Sequence, residues 1–382
     1  MKESISLSWK AGARRLGRLT MLAGMGCVFG MAQVHVAASS PVVAEVKGLA
    51  SSGAALESSE GIQGPVLGYV FESATQSLRP ILGIAGSSHL GNPISLGLSL
   101  HTGVIAPGQD CLLGVDGNGE VRLIDLRAGA LTVGSLTGAD RGADQIVFSP
   151  SGRSAALYDR DNRQVQLVRG LPEGPQVRER VSLSSLPGVL TALAVNDEGT
   201  WLLAAVSEQS GGSLHSVAAA GGTNYLAPAG SVSGVAFFPG SNDALVADHG
   251  RNEVVLLRNV SSGAQAQVLA SERDGLRGPV AVAASADGTR AFAALGAARQ
   301  VASLPLQGGV ASFLACECTP TALDRMRGAN VFRMTETAGQ AVFLLDASST
   351  DPKIWFVPPG GAAALPATDT VAPRSSRGRA GQ

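Results

Sequence analysis

The stretch Ile146-Val147-Phe148-Ser149-Pro150-Ser151-Gly152-Arg153 sets the pattern for most of this chain. A short aliphatic run leads into a tight turn built from Pro, Gly or Asp, and a second aliphatic run begins beyond it. The pattern recurs at Val104-Ile105-Ala106-Pro107-Gly108-Gln109-Asp110, at Leu193-Ala194-Val195-Asn196-Asp197-Glu198-Gly199-Thr200, at Val235-Ala236-Phe237-Phe238-Pro239-Gly240-Ser241-Asn242 and at Val282-Ala283-Ala284-Ser285-Ala286-Asp287-Gly288-Thr289. A degenerate copy, Ala322-Leu323-Asp324-Arg325-Met326-Arg327-Gly328, comes last. The turn glycines at 108, 152, 199, 240, 288 and 328 are about 44 residues apart. That period is the length of one four-stranded blade of a β-propeller. The expected fold is therefore all-β, a ring of four-stranded antiparallel blades.

Each repeat divides into four strand-like runs. In the second repeat these are 144–148, 154–158, 164–169 and 177–183, with Asp159-Arg160-Asp161-Asn162-Arg163 turning the second run into the third. In the fourth repeat Asp248-His249-Gly250-Arg251-Asn252 occupies the same place. Val, Leu and Ala fill both faces of the runs, as expected when each sheet packs on two sides. A hairpin at residues 66–84 precedes the first full repeat. A lone hairpin is marginal in water, so it is expected to dock onto the ring as the outer strands of a seventh, incomplete blade. A closed six-bladed ring is the alternative.

Composition narrows the function. The chain has 382 residues, a formal net charge of −1, 15% charged residues and 4% aromatics. Near-neutral charge argues against nucleic acid, which demands a basic footprint. Few aromatics leave few stacking platforms for bases or sugars. The expected partner is a protein or small ligand, and the chain is expected to act as a monomer.

The ends read differently from the middle. Lys2, Lys10, Arg14, Arg15 and Arg18 precede an apolar stretch from Leu19 to Val36, and Val36-Ala37-Ala38 offers small residues for cleavage before Ser39. Residues 1–38 are read as a secretory signal peptide, 39–62 as a Ser/Ala/Gly-rich flexible linker, 63–358 as the propeller and 359–382 as a disordered tail. The mature protein is then extracytoplasmic, periplasmic or secreted, without a membrane span. An uncleaved N-terminal anchor is the alternative, but Gly24, Gly26, Gly30, Gln33 and His35 suit lipid poorly. Beyond Cys27 in the leader, Cys111, Cys316 and Cys318 remain. A disulfide across Cys316-Glu317-Cys318 would close a very small ring, so the pair is read as two thiols at a blade junction.

Leu157-Tyr158-Asp159-Arg160-Asp161-Asn162-Arg163-Gln164-Val165 and Val246-Ala247-Asp248-His249-Gly250-Arg251-Asn252-Glu253-Val254 resemble the repeat core of the NHL and YVTN propeller families. The resemblance implies an Asp after the second strand and an Asn before the third that together shape the turn between them. It implies six or seven blades and a ligand- or partner-binding role, with a few relatives that are lactonases or lyases. It fades at Asp116-Gly117-Asn118-Gly119-Glu120 and at Gly296-Ala297-Ala298-Arg299.

Motifs for catalysis are missing. Asp116-Gly117-Asn118-Gly119-Glu120 opens like a calcium loop, but Val121 stands at the required glycine and Arg127 at the required acid, so a hairpin turn is the better reading. His89, His101, His215 and His249 are scattered, and no metal-ligand spacing joins them. No nucleophile elbow, phosphate loop or Ser/His/acid frame is recognisable. No catalytic residue, metal ligand or cofactor is assigned. A metal-dependent propeller hydrolase or lactonase, with acids and imidazoles converging in the channel, is the runner-up.

Charge placement supplies the candidate site. In a propeller the turns between second and third strands share one face with the links between blades. Those segments hold Asp140, Arg141, Asp144, Asp159, Arg160, Asp161, Arg163, Asp248, His249, Arg251 and Arg277. The plainer account is that charges gather on turns because strands are buried; the functional account is a binding face at the mouth of the ring. On the latter, Arg160, Arg163 and Arg251 project from neighbouring turns toward one opening.

Overall fold

The computed structural model describes residues 64–127, 131–336 and 341–360. The expected leader and linker and nearly all of the expected tail lie outside them. Six blades are complete four-stranded antiparallel meanders and one has three strands. Blade 1 is β1 (Val66–Glu72), β2 (Ser77–Ile84) and β3 (Ser87–Leu90). Blade 2 is β4 (Leu100–Ile105), β5 (Cys111–Asp116), β6 (Val121–Asp125) and β7 (Thr132–Ser135); blade 3 is β8 (Gln145–Phe148), β9 (Ser154–Asp159), β10 (Gln164–Arg169) and β11 (Gln176–Ser182). Blade 4 is β12 (Val189–Val195), β13 (Trp201–Glu208), β14 (Gly211–Ala218) and β15 (Thr223–Ala229); blade 5 is β16 (Val232–Phe237), β17 (Ala244–Asp248), β18 (Glu253–Arg258) and β19 (Gln265–Ala270). Blade 6 is β20 (Pro279–Ala284), β21 (Arg290–Leu295), β22 (Gln300–Pro305) and β23 (Ser312–Ala315); blade 7 is β24 (Asp324–Arg325), β25 (Val331–Arg333), β26 (Val342–Asp346) and β27 (Lys353–Val357). One 3-10 turn, Glu272–Asp274, links blades 5 and 6.

The core shows why the ring closes. Buried apolar residues fall into seven clusters, one between each pair of adjacent blades. Strand alternation serves two clusters at once. In β9, Ala156 and Tyr158 face blade 4, while Ala155 and Leu157 face blade 2. Both faces of each blade are therefore dry, which is what the Val/Leu/Ala-rich runs require. A Leu→Ala change at such a site, Leu245 for example, removes packing worth about 2–5 kcal/mol.

The hairpin at 66–84 does belong to a seventh, incomplete blade, but as its inner strands and not its outer ones. β1 lies beside β4 near the axis, and the Arg327 N–H of blade 7 donates to the Leu67 carbonyl at 3.1 Å. The missing outer edge is met by the other end of the chain. Leu90 N–H donates to the Pro358 carbonyl at 3.0 Å, and Leu90 and Pro359 form a parallel bridge. Proline cannot donate to a ladder, and so suits this edge position. Closure is tight at Gly68, where a Cβ would lie 2.4 Å from Met326 Cε and 2.8 Å from Gln109 Oε1.

Polar lacing joins the turns between first and second strands around one face. The Asp197 carboxylate accepts from Ser151 N–H of blade 3 at 2.7 Å and from Gly240 N–H of blade 5 at 2.7 Å, so one side chain ties three blades. Asn330 of blade 7 accepts from Ala286 N–H of blade 6 at 2.7 Å. Left-handed residues recur at fixed places. Gly152, Gly199 and Gly288 have φ of 76°, 64° and 65° at the close of this turn, and in blade 2 the same place falls on Gln109 (φ 57°) and not on Gly108.

Cys316 and Cys318 are joined as a disulfide at the junction of blades 6 and 7. This corrects the reading of the pair as two thiols. The small ring is accommodated because both residues are buried in the apolar junction while Glu317 turns outward. Cys111 is a free, buried thiol.

Candidate functional site

The inner strands of blades 2 to 7 enclose a cavity of about 410 Å³ on the ring axis. Each of these blades lines it, with Val104, Val147, Val195, Val235, Ala281 and Leu323 among the wall residues. Small and β-branched residues suit strands that crowd toward an axis. Gly234 lets blades 5 and 6 approach closely at the wall, since a Cβ there would lie 3.3 Å from the Ala281 Cα. Ser233 at the wall is satisfied internally, its hydroxyl donating to the Pro279 carbonyl at 2.7 Å. The wall is otherwise apolar but for Ser149, Thr321 and two charged residues, Asp324 and Arg325. A volume of this size is within the range of small-molecule sites.

The two charges differ. Asp324 is exposed and paired with Arg333. Arg325 is half-buried, and among the described residues no carboxylate lies within ion-pair distance of it. Its Nη2 donates to the Ala284 carbonyl at 2.6 Å, and its guanidinium carbon sits 5.0 Å from the centroid of the Phe332 ring. Burial lowers its pKa from the ordinary guanidinium value, and it stays charged. Its position is anomalous within the repeat. The hydrogen-bonded turn that follows places Arg325 in register with Ile105, Phe148, Val195, Phe237 and Ala284 in the other blades. That substitution of a cation for an apolar residue is visible in the degenerate copy at Asp324-Arg325-Met326.

The charged rim has a different character. Its residues do sit in the expected segments, yet most of them lace the rim together. Asp140 takes a two-pronged contact from Arg180 at 3.0 Å on each oxygen and a further hydrogen bond from Gln166. Arg180, followed by the Gln166 contact, holds its carboxyl below the usual range against opposing desolvation. Arg141 pairs with Glu120 at 2.9 Å. Asp144 accepts from Arg160 N–H at 2.7 Å. Asp159 accepts from the backbone and side chain of Asn162 at 2.9 and 2.6 Å, which lowers its pKa. Arg163 Nη2 donates to the Leu186 carbonyl at 2.8 Å.

Asp248, 2% exposed, accepts from the N–H groups of Gly230, Ser231 and Arg251, at 2.6, 3.1 and 3.1 Å. Arg251 Nη1 reaches the Pro228 carbonyl at 3.0 Å. The His249 ring lies over Gly278. The Arg160, Asp161 and Arg277 side chains are exposed, with no hydrogen-bonding or ion-pair partner among the described residues. Arg160 and Arg163 belong to blade 3 and Arg251 to blade 5, so blade 4 separates turns expected to be neighbours. Arg163, Asn252 and Arg299 take the same left-handed conformation (φ 49°, 53° and 54°) just before the third strand.

A serine and an imidazole do meet, which the sequence did not reveal. Ser213 Oγ lies 2.9 Å from His215 Nε2 and donates to Glu208 Oε1 at 2.8 Å. The hydroxyl proton is thereby engaged with the carboxylate, so the imidazole donates to the serine and does not act as its base. Both residues are buried, so the pair is structural. Among the described residues no group of three or more His, Cys, Asp or Glu side chains could hold a metal ion. No helix among them is long and apolar enough to cross a membrane.

No family profile and no curated protein sequence matches the chain. Solved structures do. A functionally unknown protein from Desulfotomaculum acetoxidans DSM 771 superposes with a TM-score of 0.52 at 13% identity, covering 77% of this chain and 100% of that one. The hydrazine synthase of Kuenenia stuttgartiensis gives 0.46 at 11% identity over 77% and 96% of the two chains, and a nidogen/laminin complex gives 0.42 at 14% over 65% and 92%. At such identities the first likeness extends to the fold and no further.

Proposed function

We propose that this chain is an exported binding protein, a distant relative of the NHL and YVTN propellers, that holds an apolar ligand in the central channel. The carrying observation is the 410 Å³ axial cavity walled by apolar inner strands. Burial of apolar ligand surface there supplies affinity without any reacting group. Export draws support from the Cys316–Cys318 disulfide, since such bonds persist in oxidising compartments. A metal-dependent hydrolase would want converging acids and imidazoles, whereas the only carboxylate on this wall, Asp324, is paired with Arg333.

The test is a fluorescence titration with neutral N-phenyl-1-naphthylamine. The intact protein should bind it, Val147→Phe on the wall should weaken binding, and Arg160→Ala on the rim should leave it unchanged. Absence of binding, or binding indifferent to Val147→Phe, would contradict the reading.

A second reading keeps the rim as a docking face for a protein partner. Its support is the free exposure of Arg160, Asp161 and Arg277. Loss of one defined partner on Arg160→Ala, with unchanged melting, would favour it.

A further inference from the structure

We infer that the channel ligand is a carboxylate amphiphile, such as a medium-chain fatty acid, with its head group on Arg325 and its tail along the apolar wall. This rests on the channel reading above and adds the chemistry of the ligand.

Five facts about one side chain converge. Arg325 replaces the apolar residue that the other blades place at this point of the inner strand. It lines the cavity. It is held in position by the Ala284 carbonyl and by the face of Phe332. No carboxylate among the described residues neutralises it, because the adjacent Asp324 is taken by Arg333. Its remaining N–H donors have no acceptor, and none of them is sealed from solvent.

A partly desolvated cation without an anionic partner is costly in a fold. Its hydrogen bond to the Ala284 carbonyl ties blade 7 to blade 6 but occupies one donor, and the other blades place an apolar residue at the same strand position. A guanidinium presents donors in a planar fork that matches a carboxylate. Elsewhere on the wall the half-buried side chains of Val104, Val147, Phe148 and Val235 offer apolar contact. The pairing of one fixed cation with an otherwise apolar chamber selects a molecule with one anionic end and a hydrocarbon body. A neutral hydrocarbon would leave the cation unpaired, and a dianion would strand its second charge on the apolar wall.

The experiment is calorimetric titration of the full chain with decanoate, 1-decanol and decyltrimethylammonium, all below their aggregation limits. Decanoate should bind at least about tenfold more tightly than decanol, and the cation should bind most weakly. Shortening the acid from decanoate to octanoate should weaken binding about fourfold per methylene. In Arg325→Gln the advantage of decanoate over decanol should vanish while decanol still binds.

Equal binding of decanoate and decanol to the unaltered protein would overturn the assignment to Arg325 and leave the apolar channel standing. Binding of none of the three would overturn both. Should Arg325→Gln fail to fold, the comparison of the three head groups on the unaltered protein decides alone.

Discussion

The side-chain carbonyl of Gln109 accepts a hydrogen bond from the backbone N–H of Tyr69 at 2.6 Å, and so binds blade 2 to blade 1. Its Nε2 donates to the Arg325 carbonyl at 2.9 Å, reaching blade 7 as well. Arg327 completes the clasp, with Nη2 on the Gln109 carbonyl at 3.1 Å, Nη1 on the Val66 carbonyl at 3.2 Å and its guanidinium carbon 5.5 Å from the Tyr69 ring centroid. Ring closure is thus fastened by a residue whose backbone is left-handed at φ 57°. A non-glycine residue in that region carries a conformational cost, here offset by three blade-to-blade contacts.

Gln109→Ala keeps the backbone cost and loses the side-chain contacts, so it should lower stability by about 2 kcal/mol or more. Gln109→Gly loses the same contacts but relieves the backbone, and should be less destabilised than Ala by about 1 kcal/mol. Urea midpoints of the two variants check this. An unchanged midpoint for Gln109→Ala would remove the residue from the account of closure.

Asp197→Ala should cost about 1–3 kcal/mol, because two N–H groups in flanking blades lose their acceptor. Asp161→Ala on the opposite rim should stay within about 0.5 kcal/mol, its side chain having no partner among the described residues. Thermal melts of the pair separate lacing from decoration.

Much of the architecture was legible in the sequence because each blade repeats the same physical problem. Two dry faces demand apolar residues along the inner and middle strands, and tight turns demand residues that tolerate unusual backbone angles. Closure was misread because it depends on single long-range contacts. Nothing local in Pro107-Gly108-Gln109 marks Gln109 over Gly108 as the left-handed residue, and nothing in 66–84 says which edge faces the axis. The site was misread for a related reason. Charged turns are conspicuous in a chain with few charges, but Asp140, Asp159 and Asp248 satisfy backbone and side-chain donors nearby. The axial cavity is written only in the convergence of six separate strands, and its one signal was Arg325 in place of an apolar residue.

Stability should fall in two steps as the solution is acidified. Burial depresses the pKa of His215 below its ordinary 6.5, with Glu208 opposing. The unfolded chain therefore takes up this proton first, and the stability held by the neutral imidazole is full above pH 6.5 and declines below it. Asp116, held by Arg122, and Asp159, held by Asn162, lie below the ordinary 3.8. Their contribution is full above that value and is lost as pH falls through the depressed ones. Urea midpoints from pH 8 to 3 should show both steps, and His215→Phe should abolish the first. A first step that persists in His215→Phe would assign it elsewhere.

Cys111 is fully buried, and burial, reinforced by Asp110, pushes its thiol pKa upward. It should be inert to a thiol reagent in the folded protein. After denaturation without reductant, protein isolated with an N-terminus near Ser39 should expose one thiol per chain, with Cys316 and Cys318 remaining joined. Three thiols would show that the pair is reduced in the isolated protein.

The central claim is that the channel, and not the charged rim, takes the ligand. Crystals grown with decanoate test it most directly, since the rim arginines and Arg325 compete for the same head group. The acid should give electron density inside the ring, its carboxylate on Arg325 and its tail beside Val147 and Val235. Density confined to Arg160, Arg251 or Arg277, with the channel empty, would contradict it.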